Sequence, residues 1–290
     1  MSKSKQQVLS LKESQIAAQE LHRPITKVFE RRKVLANHMD WCWAADLVVM
    51  DKQDYRYKYI LVIIDIYTRY AWASPLTTKT PEATKAAFEE IFKTSKRNPK
   101  YLWCDRGMEF YSSIFTAFLQ QNNIKLYSTE SELKSCCVER LNNTLKHKMQ
   151  KQITVYQLSK RPIHWIQILP KIVKEYNNID VHRFHGMTPH YASQEENQPK
   201  LDEIWKEIFL RSLPERRETA KFKVGDYVRL YRYKKAFEKG YKWNFTPEVF
   251  LIKKLLPTNP ITYIIQDSTG EEIKGGVYEQ ELTKTAFKFI

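Results

Sequence analysis

The sequence has few of the residues that mark several classes of protein. Glycine occurs only 7 times in 290 residues and hydrophobic residues make up 42%, a composition that excludes low-complexity and disordered chains. The 4 cysteines, Cys42, Cys104, Cys136 and Cys137, follow no disulfide framework, so we expect a reducing, intracellular setting. No apolar run approaches a membrane span, and the first residues lack the apolar core of a secretory signal. The length predicts one large packed domain with a smaller domain or arms.

Acidic residues are also in deficit. The sequence has 33 Asp and Glu against 48 Lys and Arg, which gives a formal net charge of +15. Such an excess favours a polyanionic partner, because each basic side chain that meets a phosphate releases condensed counterions. Between Glu139 and Glu175 there is no acidic residue at all. Because a solvated surface usually mixes both signs, this stretch is typical of a surface that faces DNA.

The hydrophobic pattern predicts strands and helices in a definite order. Three strands separated by short gaps form an antiparallel meander, and helices and short strands then alternate. The strands are predicted at 43–50, 57–66, 69–76, 100–104 and 124–127, with helices beginning near 80, 111 and 133. This is the order of a ribonuclease-H-like core, an α/β fold with a mixed five-stranded sheet and flanking helices.

The same pattern divides the chain into four segments. Four or five short strands follow each other near the C-terminus, which predicts a small all-β barrel. The predicted segments are an N-terminal basic arm (1–40), the ribonuclease-H-like core (41–195), a helical linker (196–220) and the barrel (221–290).

Three carboxylates fall on separate elements of the predicted core. Asp46 lies inside the first strand, Asp105 ends a later strand and Glu139 lies near the start of a helix. Phosphoryl transfer on DNA uses two cations held close together, and hard cations prefer carboxylate oxygens held from several directions. The three acids therefore predict a two-metal centre that acts on phosphodiesters.

Two of these acids, Asp46 and Asp105, have an alternative interpretation, and two further acids lie near them in the sequence. Asp46 could be a satisfied polar residue at a sheet edge, although an unpaired acid inside an apolar strand is costly to bury. Asp105 could be a turn residue, since D-R-G is typical of turns. Asp65 competes with Asp46, and we interpret it as structural, capping the turn before Thr68. Glu109 could be a decoy or a group that supports the metal ligands.

The helix of Glu139 carries donors suited to phosphates. Asn142, Asn143 and Lys146 follow Glu139 by three, four and seven positions, on the same helix face. We predict that these three residues contact DNA, together with Arg140 and Lys148.

The predicted barrel has a basic stretch with interleaved aromatic residues, a mixture that suits contact with the DNA backbone. Its candidate DNA contacts are Arg229, Arg232, Lys234 and Lys235. An ordinary exposed hairpin explains this stretch equally well, and an aromatic cage for a chromatin peptide is a further alternative.

The motifs around the three acids resemble the integrase core of retroviruses and gypsy-type retroelements. They are A-A-D-L at Asp46, W-C-D-R-G-M-E-F-Y at Asp105 and V-E-R-L-N-N-T-L-K at Glu139. The sequence is most similar to the integrases of Maverick/Polinton DNA transposons and virophages. The resemblance continues in Y-N-N (176–178), G-M-T-P (186–189) and F-K-V-G-D-Y-V (222–228), and it covers roughly residues 25 to 285.

The resemblance implies a DDE recombinase. In such an enzyme Asp46, Asp105 and Glu139 bind two Mg²⁺ or Mn²⁺ ions, and Asn143 and Lys146 contact donor DNA. Water first cuts near the 3′ ends of the element, and the freed 3′ hydroxyls then attack target DNA. The implied partners are double-stranded element ends and target DNA, with a homo-oligomer such as a tetramer and no membrane. The implied location is the nucleus of the host cell, with carriage in a virion as an option.

Several positions depart from the family pattern. Ser135-Cys136-Cys137 precedes the glutamate where smaller residues are expected, and Asn143 replaces an expected arginine. No zinc-binding N-terminal module is visible. Two alternatives therefore stay open, a catalytically retired integrase-derived DNA-binding protein and a ribonuclease-H-like nuclease that cuts without joining.

Overall fold

The computed structural model describes residues 10–26, 28–32, 34–50, 56–128, 136–213, 220–232, 241–273 and 275–289. The chain forms two compact units. We call residues 34–210 the core unit, and residues 1–33 together with 211–290 the terminal unit.

The helices and strands follow in chain order. The first half contains α1 (Leu11–Leu21), β1 (Cys42–Val49), β2 (Tyr59–Asp65), β3 (Ala71–Leu76), α2 (Pro81–Ser95), β4 (Tyr101–Cys104), α3 (Met108–Tyr111), α4 (Ser113–Gln121) and β5 (Lys125–Tyr127). The second half contains α5 (Cys136–Leu158), α6 (Trp165–Asn178), α7 (Pro189–Ala192), α8 (Gln198–Ser212), β6 (Tyr227–Leu230), β7 (Phe250–Leu256), β8 (Thr262–Gln266), β9 (Val277–Tyr278) and β10 (Leu282–Lys284). None of these described helices has the length and apolarity that a membrane crossing requires.

The core unit contains a five-stranded sheet in the order β3-β2-β1-β4-β5. The pairs β2–β3 and β1–β2 are antiparallel, whereas β4 is parallel to both β1 and β5. Two short connections allow the antiparallel meander, and each parallel pairing follows a helical crossover, as chain geometry requires. The predicted mixed sheet is confirmed.

Both faces of this sheet are covered, which explains the nearly continuous apolar sequences of β1 and β2. On one face, Ala44, Val62 and Ile64 pack with residues of α5, α6 and α8. On the other face, Leu61 and Ile63 pack with α2 and α4 through a cluster of aromatic rings. Along the run from Cys42 to Val48, Asp46 is the one residue that is not fully buried.

Helix α8 differs from the predicted linker. Its residues Leu201 and Trp205 are buried in the same cluster as the sheet residues of the core unit. The Trp205 indole Nε1 donates to the backbone oxygen of Tyr67 at 3.2 Å, and the two rings stack. The hydrophobic pattern of an amphipathic helix does not show which part of the protein the helix packs against. Because Trp205 is buried against the sheet, the core unit extends to Leu210.

The terminal unit contains a second five-stranded sheet, in the order β10-β6-β7-β8-β9, with antiparallel neighbours throughout. Its core includes Phe222, Val228, Phe250 and Tyr263. The sheet supports the predicted all-β domain. Closure into a barrel would require β9 to pair with β10, and the strands that the structure describes do not pair there.

The N-terminal segment also differs from the predicted arm, because it is part of the terminal unit. The Glu20 carboxylate on α1 is 6% exposed and accepts hydrogen bonds from Arg229 Nε at 2.9 Å, Thr285 Oγ1 at 2.6 Å and the Ala286 amide at 2.9 Å. The prediction that Arg229 contacts DNA is corrected here. Its side chain is 5% exposed and is neutralised by Glu20, because a buried guanidinium needs an anionic partner.

Replacing Glu20 should destabilise the terminal unit. Glu20→Gln leaves the Arg229 charge buried without its counterion, so we expect a loss of roughly 3–5 kcal/mol. Hydrogen exchange of the β6 amides measures this free energy. The matched control is Glu272→Gln, which removes an exposed pair with Lys253 and should cost under about 1 kcal/mol. Equal effects of the two substitutions would contradict the assignment.

The effect of Glu20→Gln should depend on pH. Burial raises the pKa of Glu20, but the hydrogen bonds from Thr285, Arg229 and the Ala286 amide and the charge of Arg229 together lower it more, so the pKa lies below its ordinary value. Since the folded pKa lies below the unfolded one, this stabilisation is fully present above the unfolded pKa and is lost as pH falls through the folded pKa. The difference between the variant and the wild type should therefore shrink in acid.

Candidate active site

The sheet register brings Asp46 and Asp105 together. Strands β1 and β4 are parallel, and their last paired residues are Ala45 and Cys104. The next residue along each strand is one of the two aspartates, so they lie side by side at the same level of the sheet. Side chains alternate between faces along a strand, so residues at one level of neighbouring strands point to the same face. Both carboxylates are half-buried.

Helix α5 is attached to the same place by a hydrogen bond. The Asn142 amide donates from Nδ2 to Asp46 Oδ2 at 2.7 Å, while the Leu47 amide donates to Asp46 Oδ1 at 2.8 Å. Glu139 lies three residues before Asn142, and residues at this spacing share a helix face. The turn of α5 that carries Glu139 is therefore directed to the part of the sheet where Asp46 and Asp105 lie, on the central strand β1 and at the end of its neighbour β4.

Asn142 is a residue whose role the sequence did not reveal. We predicted a DNA contact, but its side chain is 6% exposed and holds Asp46, so this prediction is corrected. The physical reason is the helix phase, because Asn142 is adjacent to Leu141 and close to Val138 and Leu145 on the buried side of α5. The adjacent Asn143 is exposed, and only the folded structure shows that the partner of Asn142 is Asp46.

The donor set fits a hard cation in its chemistry. Asp46, Asp105 and Glu139 supply carboxylate oxygens, which Mg²⁺ and Mn²⁺ prefer. Asn142 Oδ1 is buried and has no hydrogen-bond partner in the described part of the chain, as expected of an oxygen whose partner is a bound water or ion. As the side chains are placed, no group of three or more His, Cys, Asp or Glu among the described residues is arranged to hold a metal. The backbone brings the three acids to one region, and their side chains would have to move closer together to complete a site.

A fourth carboxylate, that of Glu109, lies in the same region, since its charge acts on the buried Cys104 thiol together with the charges of Asp105 and Asp46. Burial raises the pKa of the Cys104 thiol well above its ordinary value, and the negative charges of Asp105, Glu109 and Asp46 raise it further. Glu109 is 5% exposed and pairs with Lys79 at 3.0 Å. A Cβ at Gly107 would come within 2.3 Å of the Glu109 carboxylate, so the glycine gives Glu109 its space.

Asp65 has the structural role that we predicted. It is fully buried, and its carboxylate accepts hydrogen bonds from the Thr68 amide and hydroxyl and lies 3.2 Å from Arg97 Nη2. Burial raises the pKa of Asp65, although the charge of Arg97 opposes the change. The prediction that Asp65 caps the turn before Thr68 is confirmed.

The remaining candidate DNA contacts fall into three groups. Arg140, Asn143 and Lys146 are exposed on α5. Lys148 is half-buried and pairs with Asp180 at 2.7 Å, so part of its charge is already neutralised. In the terminal unit Arg232 is half-buried, while Lys234 and Lys235 lie outside the described residues.

Comparison with solved structures identifies the class of fold. The chain aligns with a chain of the cryo-EM structure of the simian T-cell lymphotropic virus intasome in complex with the PP2A regulatory subunit B56 gamma. The TM-score is 0.61 at 16% identity, over 93% of this chain and 87% of that chain. The chain therefore shares its fold with that intasome chain, and the mixed sheet of the core unit is that of a ribonuclease-H-like fold.

Comparison of sequences leads to the particular domain. Residues 36–131 match the family model described as the integrase core domain. The chain is 31% identical to a putative uncharacterized transposon-derived protein of Caenorhabditis elegans over 193 residues, which is 67% of this chain and 62% of that protein. It is 32% identical to the Gag-Pol polyprotein of feline leukemia virus over 150 residues, 51% of this chain and 8% of that protein. The chain spans less than two thirds of the length of either relative. Over part of its length the chain is thus similar to the integrase core domain and to transposon-derived and retroviral proteins.

Two adjacent asparagines provide a test of the geometry around Asp46. Asn142→Ala removes the donor to a half-buried carboxylate, so the core unit should lose roughly 1–3 kcal/mol of stability. Asn143→Ala removes an exposed side chain and should stay within about 0.5 kcal/mol of the wild type. Denaturant unfolding of the two variants measures both values. A cost for Asn143→Ala equal to that for Asn142→Ala would show that the helix phase is wrong.

Proposed function

We propose that the protein is the integrase of a mobile element, which processes the 3′ ends of element DNA and joins them to target DNA by two-metal phosphoryl transfer. The observation that carries the proposal is the meeting of Asp46 and Asp105 on parallel strands, beside the helix of Glu139. The match to the integrase core domain supports it. The proposal includes the finer kinship with Maverick/Polinton and virophage integrases, which rests on the sequence motifs.

The chain's own residues would act as follows. Asp46, Asp105 and Glu139 would hold two Mg²⁺ or Mn²⁺ ions, with Asn142 fixing the orientation of the Asp46 carboxylate. When bound, such ions activate the attacking oxygen and stabilise the leaving oxygen of an in-line displacement. The half-buried position of Asp46 and Asp105 limits the water that competes for their oxygens.

The exposed face of α5 would bind the DNA backbone. Arg140, Asn143 and Lys146 project from the helix that carries Glu139, and bound phosphates would there be close to the carboxylates. Since an element has two ends, both must be held at once, and we propose a homo-oligomer such as a tetramer. A chromatin contact by the terminal unit and location in the host nucleus belong to the same proposal.

Removing the charge of Glu139 should abolish the reaction. A strand-transfer assay would use purified full-length protein, Mg²⁺ and duplexes matching the ends of the element. Glu139→Gln keeps the shape of the side chain, so we expect DNA binding within about twofold of wild type and strand transfer lowered at least about 100-fold. Cutting without joining by the wild type would favour a nuclease. Binding without chemistry, on ends known to be correct, would favour a retired DNA-binding protein.

Lys146 should contribute to DNA binding through charge. Lys146→Ala should weaken binding to all duplexes alike and reduce the slope of log Kd against log salt by about 1. Fluorescence anisotropy across a salt series measures both. Lys85→Ala is the matched control, since Lys85 lies on α2 and pairs with Glu89. An equal change for Lys85→Ala would show that DNA binding depends on net charge alone, and it would contradict a specific interface on α5.

A further inference from the structure

Arg69 lies in the turn between β2 and β3 in a backbone conformation that few side chains adopt. Its φ is +64°, in the left-handed region that is uncommon for residues other than glycine. The Arg69 amide donates to the Asp65 backbone oxygen at 2.8 Å, and the Tyr176 hydroxyl donates to the Arg69 backbone oxygen at 3.2 Å. Such a conformation persists only where the surroundings determine it, and here it fixes the direction in which the side chain leaves the turn.

The Arg69 side chain extends into the core unit and is buried between aromatic rings. It is 8% exposed, and its guanidinium carbon lies 4.5 Å from the ring centre of Phe184 and 5.7 Å from that of Trp205. Among the described residues it meets no carboxylate, and its Nε has no hydrogen-bond partner. Burying a cation without an anion is costly, and cation–π contact offsets only part of that cost. Packing contacts alone therefore do not explain why an arginine is buried at this position.

The guanidinium makes one side-chain hydrogen bond within the described residues. Arg69 Nη1 donates to Cys137 Sγ at 2.9 Å. Cys137 belongs to the first turn of α5 and precedes Glu139 by two residues. First-turn amides have no partners within their own helix, so this turn is the part of a helix that frays most easily. Arg69 therefore ties the turn that carries Glu139 to the β2–β3 turn of the sheet.

We infer that Arg69 is a positioning residue, which holds the first turn of α5 so that Glu139 faces Asp46 and Asp105. The catalytic meaning of this inference rests on the proposed function, whereas the ordering of the turn does not. Two contacts then set the direction of Glu139. Arg69 holds α5 two residues before it, and the hydrogen bond of Asn142 to Asp46 holds the helix three residues after it.

The test uses the full chain and cysteine variants that differ by one position. Cys137→Ala removes the acceptor of Arg69, and Cys137→Ser restores a polar acceptor. Cys136→Ala removes the thiol of the exposed neighbour, which hydrogen-bonds with Cys137 but is not the acceptor of Arg69. Arg69→Lys keeps the charge but not the geometry of the fork. Three quantities are measured for each: hydrogen exchange of the amides of residues 138–142, the rate of strand transfer, and the Mg²⁺ concentration at half-maximal rate.

We expect Cys137→Ala and Arg69→Lys to raise exchange in the first turn of α5 about tenfold or more, the range for a lost hydrogen bond to a charged group. Exchange in α2 should not change, the strand-transfer rate should fall by a similar factor, and more Mg²⁺ should be needed. Cys137→Ser should recover most of each effect, and Cys136→Ala should match the wild type. A merely structural contact would lower the melting temperature without moving the Mg²⁺ requirement of the folded protein.

Three results would overturn the inference. They are unchanged exchange in the first turn for both Cys137→Ala and Arg69→Lys, equal effects of Cys136→Ala and Cys137→Ala, and an unchanged Mg²⁺ requirement. If Arg69→Lys does not fold, the two Cys137 variants decide alone. A wild type that joins no DNA, with exchange still raised in the variants, would overturn the proposed function and leave the ordering of α5 by Arg69 in place.

Discussion

The core unit depends on one constraint, the burial of strand β1 on both faces. A strand covered on both sides must be apolar, because neither face offers water to a polar side chain. Asp46 is tolerated at the one place in the buried run where cover is incomplete, and there it receives hydrogen bonds from Leu47 and Asn142. The parallel partner β4 then ends level with this opening, so that Asp105 joins it. The two carboxylates therefore lie together at the one place where the cover of this sheet is incomplete.

Much of the core unit follows from local patterns. The apolar runs of β1 and β2, the short gaps before and after β2 and the later alternation of helix and strand are all properties of neighbouring residues. They were sufficient to predict the sheet and to place Asp46 and Asp105 at strand positions. The capping role of Asp65 was equally accessible, since its partner Thr68 lies three residues away.

What the sequence could not reveal depends on partners that are distant along the chain. From the sequence alone Arg229 is predicted to be a surface cation, because its partner Glu20 lies more than 200 residues earlier in the chain. Asn142 and Asn143 are adjacent residues of one type, and the sequence does not show that Asp46, 96 residues earlier, is the partner of Asn142. Helix α8 carries an ordinary amphipathic pattern, and its stacking on Tyr67 could not be inferred from it. A local hydrophobic pattern indicates which face of a helix is buried. It does not indicate which other helix or strand that face packs against.

The division of the terminal unit between both ends of the chain has a consequence for synthesis. Residues 34–210 form a unit of continuous sequence, which can complete its packing as soon as it has left the ribosome. Helix α1 emerges earlier, but the Glu20 carboxylate can accept its three hydrogen bonds only after Arg229, Thr285 and Ala286 have been synthesised. Helix α1 is therefore synthesised before the core unit but completes its contacts after it. A chain cut just before Thr285 would keep an intact core unit, while Glu20 on α1 would retain Arg229 and lose its hydrogen bonds to Thr285 and Ala286.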